Sequence, residues 1–474
     1  MSERTLIVHG WSDSSSSFAH VEEFLAGNGV GPVEDIYFGD YDSQEDHLRF
    51  YDVAEGLHKR MYEKGFIHAD GSKKVDLNVL VHSTGGPVIR HWIWRYYLRD
   101  GNRIEQCPIN RLLMLAPANF GSPLAHYGKS FLGSLAQGKW ELDDMLEVGK
   151  NLLSGLELAS PYQWKLAHRD LIQPEASYRP SPEKIQTTVL VGNAKYEGFF
   201  RQYVNKPGTD GTVVISGTPL NTVKLTMNCC DANTDGKLPI EWDVEKTNVD
   251  IGFGLLPELN HTSIVSDIGT DEVLNELVRR ALTVDPGNFD DLRETCRQIT
   301  DQTREDTETP TYQQFYMHAV DDQDQPVTDF SFEFSVVKTS KVEDGIARNV
   351  VRSENEKAYS ATVHGRMSGN VHTHSEDPSF RRLLINVSEI HDLLEEARAD
   401  IGEHVALAMG VHVPAVDEGI RYDTDNLRNI VIHRTDETPQ DRPAFLHPQT
   451  TTLIELRINR MTGLVAISQE PQEH

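Results

Sequence analysis

The chain has few cysteines, a deficit of basic residues and no long apolar run. Its four cysteines among 474 residues show neither the spacing of a zinc site nor that of a disulfide framework, so a reducing compartment fits best. The 45 basic and 73 acidic residues give a net charge of −28, which argues against nucleic acid or an anionic membrane as the main partner, because both repel such a field. No apolar run reaches the roughly 18 residues that a transmembrane helix needs.

The first residues, MSERTLIVHG, contain no basic segment followed by a long apolar stretch, which is the pattern of a Sec signal peptide. We therefore expect a cytoplasmic protein, with export by a signal-free route left open. An apolar content of 38% is sufficient for packed cores. Because 474 residues exceed what one core usually supports, we expect two domains.

Residues 1–285 alternate short β-rich runs with helix-like segments, which predicts an α/β domain with a mostly parallel sheet wrapped by helices. Residues 124–182 interrupt this alternation with amphipathic helices and no strand. Such an insertion is either a lid over a site or additional packing. The predicted strands are RTLIVHG (4–10), EDIYFGDY (34–41), VDLNVLVHS (75–83), NRLLMLAP (110–117), IQTTVLVGN (185–193) and TVKLTMNCC (222–230).

Residues 286–312 are polar and highly charged and end in a Thr/Pro stretch, which predicts a linker. Residues 313–474 then show roughly eight alternating β-type runs, typical of a β-sandwich-like accessory domain or a small barrel. AYSATVHG is interpreted as one of these strands, and EIHDLLEEARAD as the one helix among them. This domain would cap the active site, mediate oligomers or bind a partner, and the sequence does not choose among these roles.

The segment VLVHSTGG (79–86) places Ser83 between a buried apolar strand and a helix that begins with two glycines. A serine in such a turn, at the carboxyl end of a parallel sheet, is typical of a nucleophile elbow, whose strained backbone lifts the hydroxyl clear of the sheet. The usual pattern is G-x-S-x-G, and Val81 stands in place of the first glycine. An ordinary glycine-rich turn is the alternative.

Two downstream loops contain the groups that a serine nucleophile needs. A histidine must take the serine proton, and an acid that precedes it in the chain must orient it. NKPGTDGTVV (205–214) offers Asp210, and LPELNHTSIVSD (256–267) offers His261. The alternatives are a turn aspartate and a surface histidine.

The HGW segment at the end of the first predicted strand indicates half of an oxyanion hole. Charge that develops on a tetrahedral intermediate needs preorganised N–H donors, and backbone amides supply them. The donors would be the N–H of Thr84 and the N–H of Trp11, with Ser12 as the alternative to Trp11. A plain turn with a buried tryptophan is the competing interpretation.

HGW, VHSTGG, APANFGSPLA, VLVGN, GTDGTV and NHTSIV occur in the order found in lipase-like α/β-hydrolases. Over residues 4–282 the chain resembles the branch that includes bacterial triacylglycerol lipases and lecithin:cholesterol acyltransferase. In that branch DGTV carries the triad acid and an H-[ST]-x-[IV] stretch carries the histidine. The resemblance therefore implies Ser83 as nucleophile, Asp210 as acid and His261 as base.

The sequence thus predicts a serine hydrolase of the lipase and esterase class that cleaves a carboxylic ester, of a lipid or another acyl ester, without a required cofactor. An acyl-enzyme would form on Ser83. Acyl transfer, amide hydrolysis and thioester hydrolysis use the same triad and remain open. A non-catalytic binding module on a hydrolase fold is the alternative from a different class.

CDANTDGKLPIEWD (230–243) resembles the first half of a D-x-N-x-D-G calcium loop. Trp242 occupies the position where a bidentate acid is expected, so a degenerate structural Ca²⁺ site and an Asx-rich turn are both open. VHTH (371–374) sets His372 and His374 on one face of a strand, without a third metal ligand nearby. The candidate calcium ligands are Asp231, Asn233, Asp235 and Glu241.

Overall fold

The fold is described from a computed structural model. The structure describes residues 3–8, 18–36, 47–125, 149–173, 177–179, 184–196, 205–229, 241–247, 249–343, 345–347, 351–414, 420–422, 427–436 and 445–462. At positions 229, 241–243, 246, 420–421 and 461–462 the description is confined to the backbone.

The described residues form ten α-helices, several short 3₁₀ or π-helical turns and nineteen strands. None of these helices is both long and apolar enough to span a membrane. The helices are α1 (Ala19–Gly27), α2 (Phe50–Glu63), α3 (Gly85–Ile93), α4 (Lys150–Leu156), α5 (Pro161–Asp170), α6 (Ser263–Ser266), α7 (Glu272–Thr283), α8 (Phe289–Thr307), α9 (Glu354–Ser368) and α10 (Val387–Ile401). The strands are β1 (Arg4–Val8), β2 (Val33–Ile36), β3 (Leu77–His82), β4 (Ile109–Leu115), β5 (Gln186–Gly192), β6 (Thr222–Cys229), β7 (Glu241–Lys246), β8 (Gly252–Leu256), β9 (Tyr312–Asp321), β10 (Ser331–Lys338), β11 (Val342–Glu343), β12 (Ile346–Ala347), β13 (Val371–Thr373), β14 (Phe380–Asn386), β15 (Val405–His412), β16 (Ile420–Tyr422), β17 (Ile430–Arg434), β18 (Thr451–Ile458) and β19 (Arg460–Thr462).

A six-stranded, wholly parallel sheet with its helices forms the first domain. The strand order is β2–β1–β3–β4–β5–β8. Every residue of β3 and of β5 is buried, as expected for apolar strands that helices cover on both faces. This arrangement confirms the predicted α/β architecture of the first part of the chain.

The sixth strand of this sheet is β8, and the predicted strand TVKLTMNCC belongs elsewhere. Residues 222–229 form β6, which pairs in parallel with β18 in a different sheet. The strand β8, with the sequence GFGLL, was not predicted because two of its five residues are glycine, which is uncommon in strands. Its glycines fit a crowded site, since a Cβ on Gly254 would lie 2.8 Å from the Cδ2 of Leu190.

Two large sheets, one two-stranded sheet and two α-helices form the second domain. One large sheet is mixed and has the order β13–β14–β9–β18–β6–β7, the other has the order β10–β15–β17–β12–β11, and β16 pairs with β19 in the two-stranded sheet. Buried side chains of both large sheets and of α9 and α10 form one hydrophobic cluster. The β-rich second domain is thus confirmed, but β6 and β7 come from residues 222–246, within the range assigned to the first domain.

The predicted linker, residues 286–312, contains α8. Buried residues of α8 pack on β8, where the Oγ1 of Thr300 accepts a hydrogen bond from the N–H of Leu255 (2.9 Å). The outer side of α8 is covered by charged pairs such as Arg297 with Glu294 (2.6 Å). These charges obscure the apolar stripe, because threonine and cysteine fill buried positions beside phenylalanine and leucine.

The segment AYSATVHG lies in α9 and not in a strand. Ser353 and Glu356 form a reciprocal capping box, in which each side chain accepts a hydrogen bond from the other residue's N–H. Tyrosine, threonine and valine favour strands, but the cap and the burial of Val363 and Met367 in the second domain's core outweigh that preference. The predicted helix EIHDLLEEARAD is confirmed as α10.

The described helices of the insertion, α4 and α5, pack between α3 and the second domain. Asp170 on α5 accepts two hydrogen bonds from the guanidinium of Arg90 on α3 (2.8 and 2.9 Å). The ring of Trp164, also on α5, meets that of Phe380 on β14, with 5.9 Å between ring centroids. This part of the insertion is interior packing. Residues 126–148 lie outside the described residues, and for them the lid stays a prediction.

Candidate active site

Ser83 lies in the turn between β3 and α3, at the carboxyl end of the parallel sheet. Its φ of 51° is a left-handed conformation that is strained for a residue with a side chain. The N–H of Ser83 donates to the carbonyl of Leu115 (3.1 Å), and its own carbonyl accepts from the N–H of Ala118 (3.0 Å). These bonds to the end of β4 and the loop after it hold the turn in the shape of a nucleophile elbow.

The close packing around this turn explains why Gly85 and Gly86 have no side chain and why Val81 can replace the first glycine of the G-x-S-x-G pattern. A Cβ on Gly85 would lie 3.1 Å from the Cβ of Val81 and 3.3 Å from the carbonyl oxygen of Val8. A Cβ on Gly86 would lie 2.7 Å from the Cβ of Pro117. The helix therefore approaches the strands at Gly85 and the loop after β4 at Gly86, and the absence of a side chain at Gly85 leaves room for that of Val81.

Three side chains from separate loops meet at the turn. The Nε2 of His261 lies 2.9 Å from the Oγ of Ser83, and its Nδ1 lies 3.0 Å from the Oδ2 of Asp210. Asp210 is fully buried, and Ser83 and His261 are each 5% exposed. The structure therefore brings together the serine, acid and histidine predicted from the sequence, with the imidazole between the hydroxyl and the carboxylate.

Backbone groups of its own loop orient the carboxylate of Asp210. The Oδ1 accepts hydrogen bonds from the N–H of Thr212 (2.9 Å) and of Val213 (2.8 Å), which leaves Oδ2 directed at His261. The backbone N–H of His261 donates to the carbonyl of Asp210 (3.1 Å). Hydrogen bonds from N–H groups to a carboxylate are strong, so these backbone groups hold the acid in place.

His82, the residue before Ser83, supports the loop of the candidate base. Its Nε2 lies 3.0 Å from the carbonyl oxygen of His261, and the centroids of the two rings are 4.8 Å apart. Only a protonated Nε2 can donate to that carbonyl. Sequence reasoning missed this role, because the contact spans 179 positions and no local pattern signals it.

Thr84, the predicted oxyanion donor, directly follows Ser83 and occupies the N-cap position of α3 with φ −63° and ψ −17°. The N-terminal end of a helix has a partial positive charge that favours an anion. Trp11 and Ser12 lie outside the described residues. The pairing of Thr84 with Trp11 in an oxyanion hole therefore stays a prediction.

The structure leaves the calcium prediction untested. Among the residues it describes, no group of three or more His, Cys, Asp or Glu side chains is arranged to hold a metal ion. The Nε2 atoms of His372 and His374 lie 2.9 and 3.7 Å from the carboxylate oxygens of Glu157, so both histidines join the two domains. Outside the description lie Asp231, Asn233 and Asp235 and the side chain of Glu241.

Comparison with known proteins identifies the fold of the chain. No protein-family model matches the sequence, and a search of curated proteins finds no match. Among solved structures, phospholipase PlaB from Legionella pneumophila matches 100% of this chain and 97% of its own, with a TM-score of 0.74 and 20% identity. The same values hold for PlaB in complex with thio-NAD. The chain therefore has an α/β-hydrolase fold.

The similarity to PlaB extends over both domains, so the β-rich domain beside the α/β-hydrolase domain is part of the shared fold. The mature lipase BlEst2 from Bacillus licheniformis covers 60% of this chain and 93% of its own at 20% identity, with a TM-score of 0.34. A lipase from Staphylococcus hyicus covers 65% and 98% at 9% identity, also with a TM-score of 0.34.

Proposed function

We propose that the chain is a serine hydrolase that cleaves carboxylic esters of acyl lipids, with Ser83 as nucleophile, His261 as general base and Asp210 as the orienting acid. One observation carries the proposal: a single imidazole lies 2.9 Å from the serine hydroxyl and 3.0 Å from a buried carboxylate. Such an arrangement activates a hydroxyl that is otherwise a weak nucleophile.

In the first half-reaction, the Oγ of Ser83 attacks the ester carbonyl carbon while the Nε2 of His261 takes the hydroxyl proton. Asp210 accepts the hydrogen bond from Nδ1–H of His261, which fixes the tautomer and stabilises the imidazolium. The N–H of Thr84 would donate to the oxyanion. Collapse of the tetrahedral intermediate breaks the ester C–O bond, and the leaving alcohol takes the proton from His261.

In the second half-reaction, water attacks the acyl-enzyme on Ser83 and His261 takes a proton from it. The acid is released as the proton returns to Ser83. Acyl transfer replaces this water with an alcohol. Amides and thioesters would react through the same residues, and the proposal favours the oxygen ester of a lipid because the whole-chain structural neighbour is named a phospholipase. A role in lipid metabolism and a cytoplasmic location belong to the same proposal.

The decisive experiment is covalent labelling of the folded full-length chain with a fluorophosphonate probe. We expect the probe on Ser83, no labelling of Ser83→Ala, and unchanged labelling of Ser266→Ala, which removes an exposed hydroxyl of the same domain. A folded wild-type chain that stays unlabelled would leave the binding-module alternative. Labelling that persists in Ser83→Ala would assign the reaction to another residue.

The substrate class is tested separately by release of fatty acid from phospholipid micelles and from triacylglycerol emulsions, and by turnover of p-nitrophenyl esters of increasing chain length. We expect higher kcat/KM for long acyl chains and fatty acid release from at least one lipid. Turnover of short esters alone would reduce the proposal to a general esterase.

A further inference from the structure

We propose that the second domain positions the acid of the triad, with Tyr312 on β9 as the main positioning residue. The loop 208–217, which carries Asp210 and is called here the acid loop, lies against strands of the second domain. This inference rests on the triad proposed above and adds to it a role for the second domain inside the hydrolytic machinery. Three independent features carry it: the path of the chain, the packing beside Asp210 and the polar contacts along the acid loop.

The chain crosses into the second domain immediately after the acid loop. It leaves the first sheet at the end of β5, forms the acid loop, and then runs as β6 in parallel with β18. After β7, which pairs with β6, it returns as β8, and His261 lies in the loop that follows. Asp210 and His261 therefore lie on either side of one excursion into the second domain. The sheet of that domain, through β6, fixes the chain after the acid loop, and the first sheet, through β8, fixes the chain before His261.

Two tyrosines, one from each domain, pack on the glycines that flank Asp210. Gly208 has a φ of 68°, and a Cβ there would lie 2.9 Å from the Cδ2 of Tyr312. Gly211 has a φ of 98°, and a Cβ there would lie 2.5 Å from the Cδ2 of Tyr196. Because glycine is conformationally permissive, these two rings supply the restraint that the backbone itself lacks.

Other residues of β9 and β18 continue this contact along the acid loop. The Oγ1 of Thr451 on β18 donates to the carbonyl of Ser216 (3.1 Å) and accepts from the Nε2 of Gln314 on β9 (3.1 Å). The ring of Tyr312 packs on an apolar cluster that includes Val214 of the acid loop. The acid loop is thus attached to the second domain on both sides of its middle.

Side chains on the two faces of β9 contact different domains, so the contact of Tyr312 with the acid loop is distinct from the packing of the second domain's own core. Phe315 and Met317 belong to the core of the second domain, whereas Tyr316 belongs to the core of the first. Tyr312 lies on the same face as Tyr316, directed at the first domain. Removing the ring of Tyr312 would release Gly208 and let the carboxylate of Asp210 shift, and a shift of about 1 Å can reduce the rate about 100-fold.

The test compares Tyr312→Ala, Tyr312→Phe and Tyr359→Ala in the full-length chain. Tyr359 on α9 is a matched control, a half-buried tyrosine that packs on the second domain's own core. We expect Tyr312→Ala to lower kcat and the rate of fluorophosphonate labelling by about 10- to 100-fold with little change in KM. Tyr312→Phe, which keeps the ring, should restore wild-type rates, and Tyr359→Ala should retain them. Thermal unfolding is recorded for every variant.

The proposal is overturned if Tyr312→Ala is labelled at the wild-type rate, or if Tyr359→Ala loses as much activity as Tyr312→Ala. In both cases, labelling of the wild type at Ser83 would still support the proposed hydrolase. If the wild type is not labelled, the hydrolase proposal fails. The position of Asp210 is then followed by NMR, through the low-field proton resonance of the His261–Asp210 hydrogen bond. Its loss in Tyr312→Ala alone supports the inference, and its persistence there refutes it. If Tyr312→Ala does not fold, Tyr312→Leu is used in its place. Slower labelling of that variant supports the inference, and labelling at the wild-type rate refutes it.

Discussion

A Cβ at Gly85 would lie 3.1 Å from the Cβ of Val81, so side chains at these two positions compete for the same space. Val81 itself is fully buried on β3. In the usual G-x-S-x-G pattern both positions are glycine. Here the strand side of the elbow is filled and the helix side is empty, which lets the turn at Ser83 form without its first glycine.

We therefore expect Gly85→Ala to lower the free energy of unfolding by about 1–3 kcal/mol, because the added methyl group meets Val81 and the backbone of Val8. Val81→Gly should cost less in the Gly85→Ala background than in the wild type, since it removes that contact. Denaturant unfolding of the two single variants and the double variant measures the coupling. Additive costs within about 0.5 kcal/mol would show that the two positions do not compete for space.

Asp210→Asn should reduce kcat by about 10³–10⁴-fold while the chain stays folded. The amide can keep one acceptor for the N–H groups of Thr212 and Val213, but it then presents an N–H₂ group to His261 and favours the wrong tautomer. Steady-state kinetics with a p-nitrophenyl ester measures the loss. The double variant Ser83→Ala/Asp210→Asn should be no slower than Ser83→Ala, and a further decrease would mean that the two residues act separately.

The residues that meet at the candidate site could be predicted because each is tied to a local pattern. Ser83 follows a buried apolar strand and precedes two glycines, and Asp210 and His261 lie in loops in the required order. The groups that orient them left no such trace. The backbone N–H groups of Thr212 and Val213 hold Asp210, and almost every residue has such a group, so the sequence does not mark them. The contact of His82 with His261 joins residues that are distant in the sequence.

The fold was predictable where the strands are local apolar runs and was missed where pairing is distant. TVKLTMNCC was correctly taken as a strand, but its partner is β18, more than two hundred positions later. Propensity gives no information on such a partner. The same limitation hid the contact of Tyr312 with Gly208 in the acid loop, since the two positions are far apart in the sequence.

Glu157 should make the stability of the chain depend on pH in the acid range. Burial alone would raise the pKa of Glu157, but hydrogen bonds from His372 and Ser375 and the nearby charge of His374 outweigh it and lower the pKa from 4.5 to about 2. Because the folded-state pKa is lowered, the stabilisation is fully present above the ordinary value of 4.5 and is lost as the pH falls toward about 2. The shift corresponds to about 3 kcal/mol.

Urea unfolding of the wild type and of Glu157→Gln at a series of pH values tests this. We expect the difference in free energy of unfolding between the two to be largest near neutral pH and to shrink as the pH is lowered from about 5 toward about 2. A difference that does not change with pH would mean that the hydrogen-bond geometry of Glu157 matters and its charge does not.

Removing one partner of the buried pair of Arg90 and Asp170 should destabilise the chain more than replacing both with apolar residues. The Nε and Nη2 of Arg90 donate to both oxygens of Asp170 (2.8 and 2.9 Å), the hydroxyl of Tyr178 donates to the same carboxylate (2.9 Å), and neither charged side chain is exposed. Asp170→Asn leaves a buried charge without its partner, so the free energy of unfolding should fall by about 3–5 kcal/mol. The double variant Arg90→Met/Asp170→Leu removes both charges and should cost less than Asp170→Asn alone. Denaturant unfolding measures both, and a double variant at least as unstable as Asp170→Asn would show that the pair contributes net stability beneath the helix that follows Ser83.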